Sequence, residues 1–536
     1  MAGKRIEKSW TWHLKAPRGA LWALVSDTER MNEALRLPRY RLRETIDGDG
    51  LRRRYGEYDD QGALVRWEEP PFEWAEGHWW RWDRLYESGP LERARGTLVL
   101  EPDAKGGTTA NYTLSMEPRN STGSVFARTG HLREAGKAFE RLLKLIDAHA
   151  RKPQGDFYAN LAATRAPSSR RRSAVFQVPG DVASEDRVLA RQLLDWLAVA
   201  FESDLREIRP KRIARALGIG PGEAHAASVI GQQMSALERK FRLVCRSCRA
   251  VVREAEIPRD LPRSAGCPRC GVEAVTDYAR SVEVVFTPHT AIREPSPMVS
   301  CASGPGVFPH IAFQQILDPH ERRELAARFP KAPHAVRTVD GLARLEFDAP
   351  GGEGALMRVG EDWIEIPETG ESLVLENHGE RVATIIVERA DWPRESTSLA
   401  EWMTYQRCRD ATPAGTLDLA QPQDAGTLAL VVISARGRDE AGACRRIALA
   451  HDGAVVEDTG AGTLLVFGHP AKAVAAMDAA LQTLPAARIG ADHGPLLLVE
   501  GGGYAGEPRD RVSDLAGLAQ EGVPNLSVSF QTALKG

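Results

Sequence analysis

Four cysteines in two pairs constrain this chain more than any other feature: Cys245-Arg246-Ser247-Cys248 and Cys267-Pro268-Arg269-Cys270, separated by the 18 residues 249–266. A Cys-x-x-Cys turn puts two thiolates on one side of the backbone, and two such turns complete a tetrahedron of sulfur. That donor set leaves no open position, so the ion expected at Cys245, Cys248, Cys267 and Cys270 is a structural zinc that folds the loop and does no chemistry. Without it, so small a region has too little core to hold itself together. The chain has seven cysteines, an odd number that fits a metal site in a reducing compartment better than a disulfide framework. Between the outer cysteines, six arginines (Arg246, Arg249, Arg253, Arg259, Arg263, Arg269) face three acids (Glu254, Glu256, Asp260). A zinc-dependent DNA-binding regulator is therefore one reading. The loop offers no aromatic ring for stacking, and a net charge of -3 gives no general attraction to nucleic acid, so the structural ribbon is favoured.

A length of 536 residues with 43% hydrophobic side chains predicts three or four domains with real cores. No apolar run approaches the roughly 20 residues of a membrane-spanning helix, and Thr427–Ile433, the best, is strand-sized. The positive charges of Met1–Lys8 have no apolar stretch behind them. The expectation is a cytoplasmic protein without a membrane partner.

The first domain, residues 1–152, holds eight of the twelve tryptophans. Ala110–Met116 alternates apolar and polar, the period of a half-buried strand, and Leu98-Val99-Leu100 lies across a Gly106-Gly107 turn from it. Leu132, Ala135, Phe139, Leu142, Leu143 and Ile146 then recur at three and four, which predicts a long amphipathic helix. Ala16-Pro17 with Leu21–Asp27, and Trp67-Glu68-Glu69-Pro70-Pro71-Phe72-Glu73-Trp74, resemble the SRPBCC (START-like) superfamily. That resemblance implies a helix-grip fold with an apolar cavity between sheet and long helix, open to a hydrophobic small molecule. Trp22, Trp67, Trp79, Trp80 and Trp82 are the candidate ligand-binding residues, with Gly77–Trp82 placing rings toward the cavity at alternate positions. The same rings would equally fill a core. No acid–base pair with shared spacing appears among Asp27, Glu68, Glu69, His78 and His131, so binding is favoured over turnover.

Residues 153–280 read as a polar, basic connector over Thr164–Ser173, then three helices and a strand, a winged-helix-like order that leads into the ribbon. Residues 281–425 read as a β-rich, sandwich-like domain, with Val282–Phe286 and Thr384–Glu388 as strands. His310, beside a proline with no nucleophile motif near it, is read as a packed side chain. The helices, the ribbon, and Ser303-Gly304-Pro305 with Phe308-Pro309-His310 and Gln314 are similar to a module that precedes bacterial class III adenylate/guanylate cyclase domains.

In residues 426–536 the order β-α-β-β-α-β predicts a ferredoxin-like sheet, which makes the whole chain an α+β multidomain protein. Val455-Val456 through Phe467, His469-Pro470, Arg488-Ile489-Gly490, His493-Gly494-Pro495, Tyr504-Ala505-Gly506 and Ser527-Val528-Ser529 resemble the class III nucleotide cyclase domain. Active members hold two metal ions on two aspartates. Here those positions carry Ser434 and Ala461, the base-selecting lysine is Glu457, and the asparagine and arginine are Asp510 and Asp514. The resemblance therefore implies a pseudo-cyclase that pairs as a homodimer or with another signalling protein, joined to a hydrophobic-ligand sensor. An active adenylate or guanylate cyclase is the alternative.

Overall fold

The chain is described from a computed structural model covering residues 5–46, 52–60, 62–128, 131–166, 178–180, 182–325, 329, 332–339, 343–349, 354–390, 395–435, 440–459 and 462–535. Contacts divide it into two units, one of residues 1–166, 199–206 and 295–393, the other of 167–198, 207–294 and 394–536. Most of the expected connector, residues 167–173, lies outside the described residues.

In the first unit, β1 (Ile6–Leu14) is followed by α1 (Arg18–Val25) and α2 (Thr28–Ala34). Then come β2 (Arg41–Ile46), β3 (Arg52–Asp60), β4 (Ala63–Glu68), β5 (Glu73–Ala75), β6 (Trp79–Tyr86), β7 (Leu91–Pro102) and β8 (Thr108–Pro118). Three helices close the segment: α3 (Ser121–Arg128), α4 (His131–Arg151) and α5 (Phe157–Arg165). The strands form an antiparallel sheet in the order β1-β8-β7-β6-β5, with β4, β3 and β2 running off β6. Phe139, Leu142, Leu143 and Ile146 of α4 share one buried cluster with Trp74, Trp80, Leu98 and Leu100 of the sheet and Leu21 of α1. The helical repeat thus points its apolar stripe into the sheet, a helix-grip arrangement. Two indoles lie flat across their neighbours because those neighbours are glycines. A Cβ on Gly56 would fall 2.2 Å from Trp67, and one on Gly96 would fall 2.3 Å from Trp82.

The sheet does not stop at β5. Ala75 and Trp74 pair with Phe313 and Gln314 of the strand Ile311–Leu317, and Ala383–Arg389, Ala332–Thr338 and Arg344–Ala349 continue from it. A second sheet, ordered Arg322–Leu325, Leu373–Asn377, Gly354–Val359, Ile364–Gly370, faces this extension. Phe313, Leu317, Val336, Met357, Leu373, Leu375 and Val387 fill the space between. Residues 281–425, expected as one β domain, are divided between the units. Val282–Pro288 pairs with Leu237–Val244 in the second unit, while the strands from Ile311 to Arg389 lengthen the first domain's sheet.

In the second unit, Pro210–Leu217 starts with proline at its first position and stops at Gly218, whose φ of 68 is the left-handed cap that glycine takes at least cost. Pro221–Gln233 begins three residues on, with the Glu223 carboxylate accepting from the Gly220 N–H at 2.9 Å. Its His225 is fully buried and stacks on Tyr405, ring centroids 3.9 Å apart. The strand Leu237–Val244 lies between Val251–Ala255 and Val282–Pro288. Toward the C-terminus four antiparallel strands run in the order Gly453–Asp458, Thr463–Phe467, Gln423–Ser434, Arg488–Leu498, and the last also pairs with Tyr504–Ala505 (antiparallel) and Asn525–Leu526 (parallel). Glu440–Ala450 and Pro470–Thr483 are the crossover helices between these strands. Cys444, Ile447, Ala473, Ala476, Met477 and Ala480 of the helices pack on Val431, Leu465, Phe467 and Ile489 of the sheet.

This packing has two measurable consequences. Gly96→Ala must displace the Trp82 indole, so it should cost about 1–3 kcal/mol in urea unfolding followed by tryptophan fluorescence. Burial lowers the pKa of His225 to about 4, a shift that Lys211 reinforces against the opposing hydrogen bond to the Pro221 carbonyl. The unfolded chain takes up a proton near pH 6.5 and the folded chain does not until about 4. Stability should therefore fall as pH drops through that window, by about 3 kcal/mol in all, and His225→Phe should remove this slope from a plot of unfolding midpoint against pH.

Candidate ligand cavity and metal centre

Alternation along β6 builds one wall of a cavity of about 140 Å³ in the first unit. Trp80, Trp82 and Arg84 face it from every second position, and Tyr112 of β8 stands beside them. Thr28, Met31, Asn32 and Leu35, from α2 and the residue after it, form a second wall, and Ala135, Ala138 and Phe139 of α4 a third. Phe72, Glu69 and Cys301 close one end. The rings support one another: Tyr112 stacks on Phe139 at 4.7 Å and meets Trp80 edge-on at 6.1 Å. The Trp80 indole N–H donates to the Val25 carbonyl at 3.1 Å, which fixes that ring.

The polar end is built from buried groups. Glu69, 2% exposed, accepts hydrogen bonds from the Tyr40 hydroxyl (3.0 Å), the Trp67 indole (3.2 Å) and the Ser303 hydroxyl (3.1 Å). Burial opposes charge on Arg84, but the Tyr40 and Glu69 oxygens outweigh that, and its pKa is raised. Burial pushes the Tyr112 hydroxyl up to about 12, even with Trp82 donating to it. Burial also raises the Cys301 thiol, with Glu69 adding to the effect, while the Thr28 hydroxyl donates to its sulfur at 3.1 Å. A protonated thiol and a carboxylate already engaged by three donors do not form a nucleophile–base pair. The arrangement is suited to holding a molecule.

The structure separates the five tryptophans singled out from the sequence. Trp80 and Trp82 line the cavity. Trp22 packs into the same core from α1. Trp67 lies behind the polar end with Tyr40 and Val65. Trp79 points to the other face of the sheet, against the core shared with the second sheet. Arg84, Glu69, Tyr112 and Cys301 were not among the sequence candidates. Extending the alternation from Trp80 and Trp82 by one step reaches Arg84, but nothing local marks Cys301, more than 200 residues away.

The four ribbon cysteines converge as their spacing requires. Their sulfurs lie within 4.8 Å of one another, with Cys245 to Cys270 at 3.6 Å and Cys248 to Cys267 at 3.5 Å. A tetrahedral zinc with Zn–S near 2.3 Å needs sulfur–sulfur edges of about 3.8 Å, so the donor set fits. Each knuckle closes alike: Arg249 N–H to the Cys245 carbonyl at 2.8 Å, and Gly271 N–H to the Cys267 carbonyl at 3.0 Å. Both closing residues sit at positive φ, 58 for Arg249 and 71 for Gly271. Zinc held here would bridge the two knuckles and do no further chemistry.

Of the positions compared with the cyclase site, Ala461 lies outside the described residues. Ser434 ends the central strand and pairs with Arg488. Glu457 is bound by Arg509, which donates to it at 2.7 and 3.1 Å. Asp510 and Asp514 are exposed on the helix Glu507–Leu518. Lys211 and Arg212, the basic pair of the DNA-binding reading, are taken up by Glu401 (2.8 Å) and Glu395 (3.2 Å).

No protein-family model matches the chain, and no curated protein matches it. Solved structures are similar to its N-terminal part. A Thermus thermophilus protein is 22% identical over 27% of this chain and 97% of its own, with a TM-score of 0.20. The Zhui aromatase/cyclase from Streptomyces sp. R1128 is 14% identical over 28% of this chain and 94% of its own, TM-score 0.20. A START superfamily protein from Mycobacterium smegmatis is 16% identical over 28% and 99%, TM-score 0.19.

For the metal centre, purified protein should carry one zinc, released by a strong chelator and detected with a metallochromic dye. Cys267→Ser should lower the zinc content and expose residues 245–275 to proteolysis, because one lost thiolate opens the tetrahedron.

Proposed function

We propose that this protein binds a small apolar molecule in its first domain and uses that binding to regulate the association of the rest of the chain with a partner, either a second copy or another signalling protein. The observation that carries this reading is the aromatic-walled cavity between β6, α2 and α4, which ends on buried polar groups. Pockets of this kind, mostly apolar with a few fixed polar groups, are the usual form of a small-molecule site. The zinc ribbon is structural in this reading. The C-terminal domain acts as a cyclase-derived module without turnover: Glu457 is held by Arg509, and Asp510 and Asp514 put negative charge where a triphosphate would need positive. The ion pairs at Lys211 and Arg212 weigh against the DNA-binding reading. Among the described residues no helix is long and apolar enough to cross a membrane.

Native mass spectrometry of the full-length protein tests the proposal. The expected result is a mass excess from a small organic molecule, lost on mild activation, and a subunit number that changes when that molecule is stripped. A bare chain whose oligomeric state ignores added ligand would overturn the regulatory part. Cyclic nucleotide formed above blank from ATP or GTP with Mg or Mn would overturn the reading of the C-terminal domain.

A further inference from the structure

Arg84 is the cationic side chain of the cavity, and among the described residues Glu69 acts on it only through space. It makes no hydrogen bond there, and no carboxylate lies within ion-pair distance. Its neighbours are rings: the guanidinium carbon lies 4.6 Å from the centroid of Trp67, 5.1 Å from Tyr40 and 5.4 Å from Trp82. Rings satisfy the faces of a guanidinium and leave its in-plane N–H groups unused. The two carboxylates at this end are committed elsewhere. Glu69 takes its three neutral donors, and Asp83 is gripped by Arg93 and Arg95, the latter at 2.6 Å.

Resting on the cavity reading above, we propose that the ligand is an amphipathic acid. Its carboxylate, or an equivalent planar oxyanion, pairs with the fork of Arg84, and its apolar body lies among Trp80, Tyr112 and Phe139. A guanidinium meets a carboxylate with two parallel N–H···O bonds, so the pairing fixes orientation as well as charge. A volume of about 140 Å³ is close to that of an apolar cavity known to hold one benzene ring, so the enclosed body is about one ring or a short acyl chain.

The test compares two probes of one shape, 4-fluorobenzoate and fluorobenzene, titrated into the full-length protein and read by fluorine NMR. The expected result is tighter binding of the acid by about tenfold or more, the worth of one charge-assisted hydrogen bond in a partly buried site. Arg84→Gln should abolish that preference and leave fluorobenzene affinity within about twofold. Arg84→Lys, which keeps the charge without the fork, should retain part of the preference and serves if the glutamine variant fails to fold. Equal affinities in the wild type, or a preference that survives Arg84→Gln, would overturn the acid proposal while leaving the cavity standing, since fluorobenzene still binds. Binding of neither probe would overturn both. Ala138→Phe should block both probes, and binding that persists in that variant would place the site elsewhere and overturn the assignment.

Discussion

Three residues, Glu73-Trp74-Ala75, hold the first unit together. This short strand is buried along its whole length and pairs on one side with β6 and on the other with Ile311–Leu317. Two backbone pairings would be a weak joint, so side chains reinforce it. The Trp74 indole donates to the Ile311 carbonyl, while the amides of Gln314 and Gln315 donate back to the Phe72 and Trp74 carbonyls. The Glu73 carboxylate is shared between Arg81 on one side and Arg323 on the other. Removing Glu73 would leave two guanidinium groups facing each other in a half-buried site, where breaking a pair costs more than the pair contributes. The cavity depends on this joint, because Phe72 and Glu69 enter its end from the segment just before β5.

Much of the local structure was legible. The cysteine spacing fixed the ribbon because knuckle geometry is a property of four residues. The repeat ending in Phe139, Leu142, Leu143 and Ile146 marked α4 because a helix spanning a sheet needs one continuous stripe. The C-terminal element order could be read because apolar strand runs alternate with helical spacing, and glycines fall between the two strands that follow each other directly. The cavity was less legible. Period-two alternation assigns Trp79 and Trp80 to opposite faces without saying which face is the cavity, and here both faces are apolar, since a second core lies behind Trp79. An exposed sheet face would have given the answer, and a buried one does not. The sharing of one sheet by two distant segments left no local trace at all. Val282–Phe286 and Thr384–Glu388 look alike as sequences, yet they end in different units.

Charge is handled differently at two arginines of the first unit. At Arg30, three aspartates, Asp27, Asp156 and Asp204, surround one guanidinium. That site is closed and clamps α2 from behind. At Arg84 the guanidinium is ringed by aromatic faces, with its acid neighbours engaged by others. The first pattern fixes a helix and the second leaves donor capacity toward a space.

The shared sheet also orders events in time. Gln315 and Trp74, which meet through a hydrogen bond, are 241 residues apart. At roughly 5–20 residues per second, a ribosome spends on the order of ten to fifty seconds between them. During that interval β5 is an unpaired sheet edge on a nascent chain, the kind of surface that other strands seek. The ribbon cysteines emerge within the same interval, ahead of the strand that completes the N-terminal sheet. The first domain is therefore the first to be synthesised and among the last to be finished, and a chain truncated before Ile311 would present to the cell a strand paired on one side only.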